Sequence, residues 1–300
     1  MRDLSPRTLA SSKRTRVTPA RLHCVIGTVT LEREDQRTDR LAARVANVAA
    51  SHAKGEMTSE PTRQRLRVAT YNVHGCVGMD AQRSEDRIAE VIASMSADIV
   101  GLQELDLGRP RSSHADQMRS GEEQYGNAIV SRFPIELKRA AEMPGTPPWY
   151  CREQRIAIWT EAQTDLGPVH IINSHFGLGR SERRLQAQLL VGPDWIGSVP
   201  ADAPAILLGD FNSVRTSRAY RLISSHLRDV RTLVRQPRAF RTFPTRLPSI
   251  AVDHIFVNAA LSPIRLNVHR TPLARQASDH FPLVCELTLT SNSSSAGSPM

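Results

Sequence analysis

Apolar residues between positions 66 and 290 follow two periods. Runs such as "LRVATY", "DIVGLQE" and "NAIVSRFPI" are apolar at consecutive or alternate positions and are bounded by turn-forming residues, which predicts strands. "QRIAIWTEAQT" and "GPVHIINSHF" flank the turn "TDLGP" and predict a strand pair. "AILLGDFN", "VDHIFVN" and the terminal "PLVCELTLT" predict three more strands. In "EDRIAEVIASM", Ile88, Val91, Ile92 and Met95 recur at i, i+3, i+4 and i+7, one face of a helix. "SERRLQAQLL" predicts a second helix, with Ser181 as its N-cap, and "SRAYRLISSHL" a third. The helices are too few for a strictly alternating βαβ fold. Two packed sheets flanked by helices accommodate the pattern.

The ends differ from this centre. Residues 1–65 show no sustained period outside "HCVIGTVTL" and predict a disordered or mis-assigned N-terminal extension. Met57 offers an alternative start, because "MTSEPTRQRLRVATYNVHG" runs from a short polar leader straight into a strand. Residues 291–300, "SNSSSAGSPM", predict a disordered tail. The foldable segment is therefore 66–290.

Composition adds exclusions. With 40% hydrophobic and 23% charged residues, the 300-residue chain fits a soluble globular class. No apolar run is long enough to span a bilayer, and the N-terminus lacks the apolar core of a secretory signal. Its Arg- and Ser-rich, acid-poor start also has transit-peptide composition, as the less favoured alternative. Cys24, Cys76, Cys151 and Cys285 show no metal-ligand spacing, which points to thiols in a reducing cytoplasm, with Cys76 close to a chemical motif. The net charge of +9 divides unevenly: residues 1–56 hold 11 Lys/Arg against 6 Asp/Glu, leaving +4 for the remainder. That remainder favours a phosphate-bearing substrate without identifying it.

Candidate chemistry gathers at strand ends. "LRVATY" leads to Asn72 and His74, "DIVGLQ" to Glu104, and "VHIINS" to His175. "AILLG" leads to Asp210 and Asn212, "SIAV" to Asp253 and His254, and Asp279 and His280 precede the last strand. Any one of these serves equally well as a turn or cap residue. Together they form a set of Asn, His, Asp and Glu suited to a hard cation and acid–base work.

In order, "TYNVHG", "LQE", "YGNAIVSRFPI", "NSHFGL", "GDFN", "RTFP…VDHIFV" and "SDHFPL" resemble the endonuclease/exonuclease/phosphatase superfamily, in its compact bacterial form, across about residues 66–290. The resemblance implies a DNase I-like four-layer α/β sandwich: two central, mostly antiparallel sheets flanked by helices, with one active site at the strand ends. It also implies a Mg²⁺- or Mn²⁺-dependent phosphoester hydrolase. Glu104, Asn72 and Asp279 match the positions around the metal. Asp210 matches the group that orients or deprotonates the attacking water, with Asn212 beside it. His175 and His280 match donors to the transition state when protonated, and Asp253 the partner that orients His280. His74 stands where some family nucleases carry an acid, which implies a thinner, single-metal shell. Arg155 resembles a basic position near the substrate phosphate, and a surface arginine explains it equally well.

The "CDR" of 5-phosphatases and the "QET" of abasic endonucleases are absent. In "RAFRTFPTRLPSIAV", Phe240 and Phe243 are interleaved with Arg238, Arg241 and Arg246, and Arg235 lies just upstream. That loop suits a nucleic-acid backbone, an anionic phospholipid headgroup or plain solvation. "GRSERRLQAQ" adds a further basic face. The expectation is a monomeric phosphodiester hydrolase, with DNA or RNA ahead of phospholipid as substrate. A phosphomonoesterase is the alternative, and a non-catalytic binding module the less favoured one.

Overall fold

The computed structural model describes residues 23–27, 65–107, 124–145, 154–235 and 240–290. Among the described residues, twelve strands form two six-stranded sheets, and helices cover the outer face of each. The first sheet contains β1 (His23–Gly27), β2 (Leu66–Asn72), β3 (Ile99–Leu107), β4 (Gln124–Ser131), β11 (Leu261–Val268) and β12 (Leu283–Leu289), in the order β1-β4-β3-β2-β12-β11. The second contains β5 (Ile135–Glu142), β6 (Ile156–Thr164), β7 (Gly167–His175), β8 (Ala205–Asp210), β9 (Arg228–Asp229) and β10 (Asp253–Val257), in the order β5-β6-β7-β8-β10-β9. Each sheet has one parallel pair at its centre, β2/β3 and β7/β8, and is otherwise antiparallel. The expected sandwich is the observed one.

Three apolar layers separate the four structural ones. Leu66, Val68, Ile171, Ile206 and Leu283 belong to the core between the sheets. Helix α1 (Glu85–Ser94) buries Ile88, Val91 and Ile92 with Tyr71 and Phe281, against the first sheet, as its period predicts. Helices α2 (Arg180–Val191) and α3 (Arg218–Ser224) bury Leu190, Tyr220 and Ile223 with Leu207 and Phe256, against the second. Two short helices, α4 (Val230–Leu233) and α5 (Pro272–Ala277), complete the layers.

Several local expectations change. Helix α2 is capped by Gly179, not Ser181: the Glu182 carboxylate accepts the Gly179 N–H at 3.1 Å. Gly209 is not a turn but a residue within β8, with φ at 149°. A Cβ there would lie 1.9 Å from the Ser174 carbonyl oxygen, so only glycine lets β7 and β8 meet. His23–Gly27, inside the segment expected to be an extension, pairs antiparallel with β4 as an edge strand. Its Cys24 packs on the outer core and Val25 on the inter-sheet core, an alternation too short to stand out in sequence. β5 and β11 were not anticipated. β5 alternates half-buried and exposed residues, and β11 carries Pro263 beside a break in register with β12. Cys151, Arg238 and the tail 291–300 lie outside the described residues.

Candidate active site

The central strands of both sheets end at one place. β2 runs into Asn72, and β3 reaches Glu104 at a bulge, where its register with β4 shifts between Leu102 and Leu105. β7 ends at His175 and β8 at Asp210, and these two residues are register partners. β10 begins at Asp253, also paired with Asp210. Asp279 and His280 lie between α5 and β12.

Asp210 is the hub. Its carboxylate is buried and accepts from Asn72 Nδ2 at 3.1 Å and from the Asn212 N–H at 2.9 Å. His175 Nε2 and His280 Nε2 face the same Oδ2 from 3.6 and 3.7 Å. His280 Nδ1 bonds to Asp253 Oδ2 at 3.0 Å, and the Phe243 ring packs on its imidazole at 4.6 Å between centroids. Burial works against charge on His280. The Asp253 and Asp210 carboxylates outweigh it and raise its pKa to about 10, so the ring is an imidazolium at neutral pH.

His175 differs from expectation. Burial, reinforced by the Arg155 guanidinium, lowers its pKa well below the usual histidine range. Arg155 Nη1 lies 2.7 Å from His175 Nδ1, and Arg155 is buried, not a surface arginine. The cation on this side is therefore Arg155, and His175 is a neutral ring. Asn212 lies beside it, its Nδ2 3.1 Å from His175 Nε2 and donating to the Phe176 carbonyl at 2.8 Å.

Asn72 also departs from its expected part. Its Oδ1 accepts the His74 backbone N–H at 3.0 Å, which fixes the amide, and its Nδ2 donates to Glu104 at 2.9 Å as well as to Asp210. Its nitrogen, rather than its oxygen, faces the carboxylates. Glu104 is half-buried, and desolvation together with the negative charge of Asp279 and Asp210 raises its pKa, although the Asn72 bond and His280 work the other way. A carboxylate pair this crowded has the chemistry of a hard-cation site. A second group, Asp210, Asp253 and His280, keeps its potential ligand atoms within 4.8 Å of one another. Its imidazole carries a proton and is held on Asp253, so it serves as a hydrogen-bond donor.

Of the remaining candidates, His74 sits on a 3-10 turn after β2, with Nδ1–H donating to the Val77 carbonyl at 3.0 Å. Cys76 on the same turn is buried. His254 follows Asp253 in β10 and points to the opposite face, as strand alternation requires. There its Nε2 meets the Ser213 carbonyl at 2.7 Å and its Nδ1 meets Arg231 at 3.0 Å, within a cluster that includes Asp229 and Tyr220. Phe240 is buried between the sheets, and the half-buried Phe243 ring packs on His280.

Supporting residues were missed by residue type although they stood inside the motifs. Gln103 of "LQE" donates to Asn173 of "NSHF" at 2.7 Å across the gap between the sheets. Asn173 in turn donates to the carbonyls of Leu102 at 2.9 Å and Ala128 at 2.8 Å. Ser278 of "SDHF" donates to the Asn72 carbonyl at 2.8 Å, and Arg231 donates to the Asp253 carbonyl. These bonds lock one strand end to another, and only the repeated presence of a polar residue beside each candidate signalled them.

A sequence model of the endonuclease/exonuclease/phosphatase family matches residues 69–280. The chain is 29% identical over 257 residues to the uncharacterized protein YbhP of Escherichia coli K12, covering 75% of this chain and 96% of that one. Among solved structures, an endonuclease/exonuclease/phosphatase from Beutenbergia cavernae is similar, with a TM-score of 0.62, 24% identity and coverage of 76% and 72% of the two chains. The mannosyl-6-phosphatase Bt3783 of Bacteroides thetaiotaomicron gives a TM-score of 0.56 at 24% identity over 74% and 99%. Matched sequence and shared architecture agree, and the chain belongs to the endonuclease/exonuclease/phosphatase family.

Proposed function

We propose that the protein is a divalent-cation-dependent phosphodiester hydrolase acting as a cytoplasmic monomer. The observation that carries this is the setting of Asp210: a buried carboxylate faced by a neutral histidine on one side and an imidazolium on the other. Glu104 and Asp279 would hold Mg²⁺ or Mn²⁺, which when bound supplies Lewis-acid neutralisation of phosphoryl charge.

The protein's own groups do the rest. Asp210 orients the attacking water and accepts its proton as the new O–P bond forms and the ester bond breaks. His280 donates from Nε2 to a non-bridging oxygen, with Asp253 preserving its charge and direction. Arg155 adds a fixed positive charge behind His175, and the Asn72 amide keeps Glu104 and Asp210 apart.

Charge favours a diester over a monoester. The cations of His280, Arg155 and one divalent ion roughly balance the carboxylates of Glu104, Asp210, Asp253 and Asp279. A near-neutral site suits the single charge of a diester better than the two charges of a monoester. The monoester alternative draws on the likeness to a mannosyl-6-phosphatase.

The test compares bis-p-nitrophenyl phosphate with p-nitrophenyl phosphate in Mg²⁺, Mn²⁺ and EDTA, using wild type and Asp210→Asn. Diester cleavage that needs metal and falls by at least about a hundredfold in Asp210→Asn is expected, the low end for losing a general base. Preferred cleavage of the monoester would replace this function with the alternative. A loss below about tenfold in Asp210→Asn would remove Asp210 from its role.

A further inference from the structure

Seven large apolar side chains are exposed among the described residues, and four of them lie on the segments that leave β7 and β8 or lead into β10, at the strand ends that carry His175, Asp210 and Asp253. Leu178 (40% exposed) follows His175 by three positions, and Val214 (41%) follows Asn212 by two. Leu247 (75%) and Ile250 (39%) lie in the loop that leads into Asp253, where Ile250 bridges to Phe243, the ring packed on His280. Of the other three, Ile264 and Leu289 lie towards the end of the β11/β12 pair farthest from His280, and Leu185 is on α2.

Charge on the same segments has one sign. Residues 176–184, 211–218 and 240–252 carry seven arginines (three, two and two) against a single acid, Glu182, which is buried and occupied in capping α2. Arg180, Arg215 and Arg241 are exposed. A rim that is both aliphatic and cationic suits a surface with an apolar interior and anionic headgroups. It suits single-stranded nucleic acid less well, because bases are held by stacking on aromatic rings, and the exposed large apolar side chains of these segments are Leu, Val and Ile, with Phe243 half-buried on His280.

We propose that the mouth of the active site is a docking surface for an anionic lipid bilayer. Leu178, Val214, Leu247 and Ile250 enter the headgroup region and the surrounding arginines contact lipid phosphates. The diester then presented to Asp210 is that of a phospholipid headgroup, a step that rests on the hydrolase function proposed above. The docking itself does not.

Full-length protein would be sedimented with phosphatidylcholine vesicles, with and without phosphatidylglycerol, and filter-bound to a single-stranded DNA oligonucleotide in parallel. Retention on the phosphatidylglycerol vesicles is expected, at least about tenfold weaker in the Leu247→Glu/Ile250→Glu pair, from the loss of two aliphatic contacts. Arg241→Glu should weaken it about fivefold or more, and less at high salt. Ile264→Glu, an equally exposed aliphatic site away from the mouth, should leave retention unchanged. Thermal unfolding midpoints show whether each variant folds, and Arg241→Glu still decides the matter if the paired variant does not. The proposal is overturned by equal retention on both vesicle types, by no effect of the rim variants, or by rim variants that weaken oligonucleotide binding and spare vesicles. Vesicle binding by a protein that leaves bis-p-nitrophenyl phosphate intact would sustain the docking surface and reject the hydrolase. Cleavage without vesicle binding would do the reverse.

Discussion

Four side chains near the site stand on left-handed backbone that non-glycine residues seldom adopt: His74, Cys76, Glu104 and Asn212, with φ of 49°, 59°, 56° and 46°. Three follow a strand and Glu104 sits at the bulge inside β3, and each is held by surrounding bonds, such as the Asn72 amide on Glu104 or the Phe176 carbonyl on Asn212. Strain of this kind persists only where its neighbours over-determine it. The same rigidity sets what single replacements do. Asp253→Asn keeps the volume beside His280 and removes the charge that holds its proton and its direction. It should lower kcat by about a hundredfold or more while moving KM far less, because the group acts through His280 and does not itself meet substrate. Steady-state kinetics on a diester decide this, and a change confined to KM would place Asp253 in binding instead.

β8 and β10 meet the layer of α3 and α4 through a buried polar cluster. Asp229 ends β9, accepts from Tyr220 Oη at 2.9 Å and from the Arg231 N–H at 2.9 Å, and lies 3.3 Å from His254 Nδ1. Burial works to raise the Asp229 pKa, but the His254 ring and Arg231 outweigh it and bring it to about 2, from an ordinary 3.8. A depressed carboxyl pKa contributes stability that is complete above the unfolded value and lost as pH falls through the folded one. About 2 kcal/mol should therefore disappear between about pH 4 and pH 2, and Asp229→Asn should flatten that slope. Urea melts across this range test it, and an unchanged slope in the variant would exclude Asp229 as the source. The helix of Ile88, Val91, Ile92 and Met95 was legible because one face is buried continuously, and so were the buried central strands. The candidate residue types were legible as well, because each stands beside an apolar run, after it for most and before it for Asp279 and His280. Which atom each one presents was not. Asn72 faces the carboxylates with its nitrogen because His74 N–H claims its oxygen, and His175 is neutral because it is buried with Arg155, the residue before β6, against its ring. Both depend on partners from other strands, and a linear pattern does not encode them. His254, one position after Asp253 in β10, faces away because a strand alternates.

At the scale of the whole molecule the two sheets must stay in register, since Glu104 belongs to one and Asp210 to the other. Gln103 and Asn173 bridge them directly beneath the site, and the packing of Val25, Val68, Ile171 and Ile206 closes the space further along. The edge strand β1 lies on this interface, because Val25 faces the inter-sheet core while Cys24 faces the outer one. All five of its residues are register partners of β4, and β4 also pairs with the strand that carries Glu104. A protein started at Met57 would lack β1 and leave the far edge of β4 unpaired, which exposes both ladder groups and apolar surface. Its unfolding midpoint should lie about 5 °C or more below that of the full chain, roughly what the loss of 2 kcal/mol produces in a domain of this size. The centre of the site should survive, because β2, β3, β7, β8 and β10 are all retained. Calorimetry of the two proteins, alongside diester hydrolysis at a temperature where both are folded, separates the effects. Equal midpoints would mean that residues 23–27 add nothing to the sheet and that the domain starts after Met57. A lowered midpoint with activity retained would make β1 part of the scaffold that holds the two sheets together and not part of the chemistry.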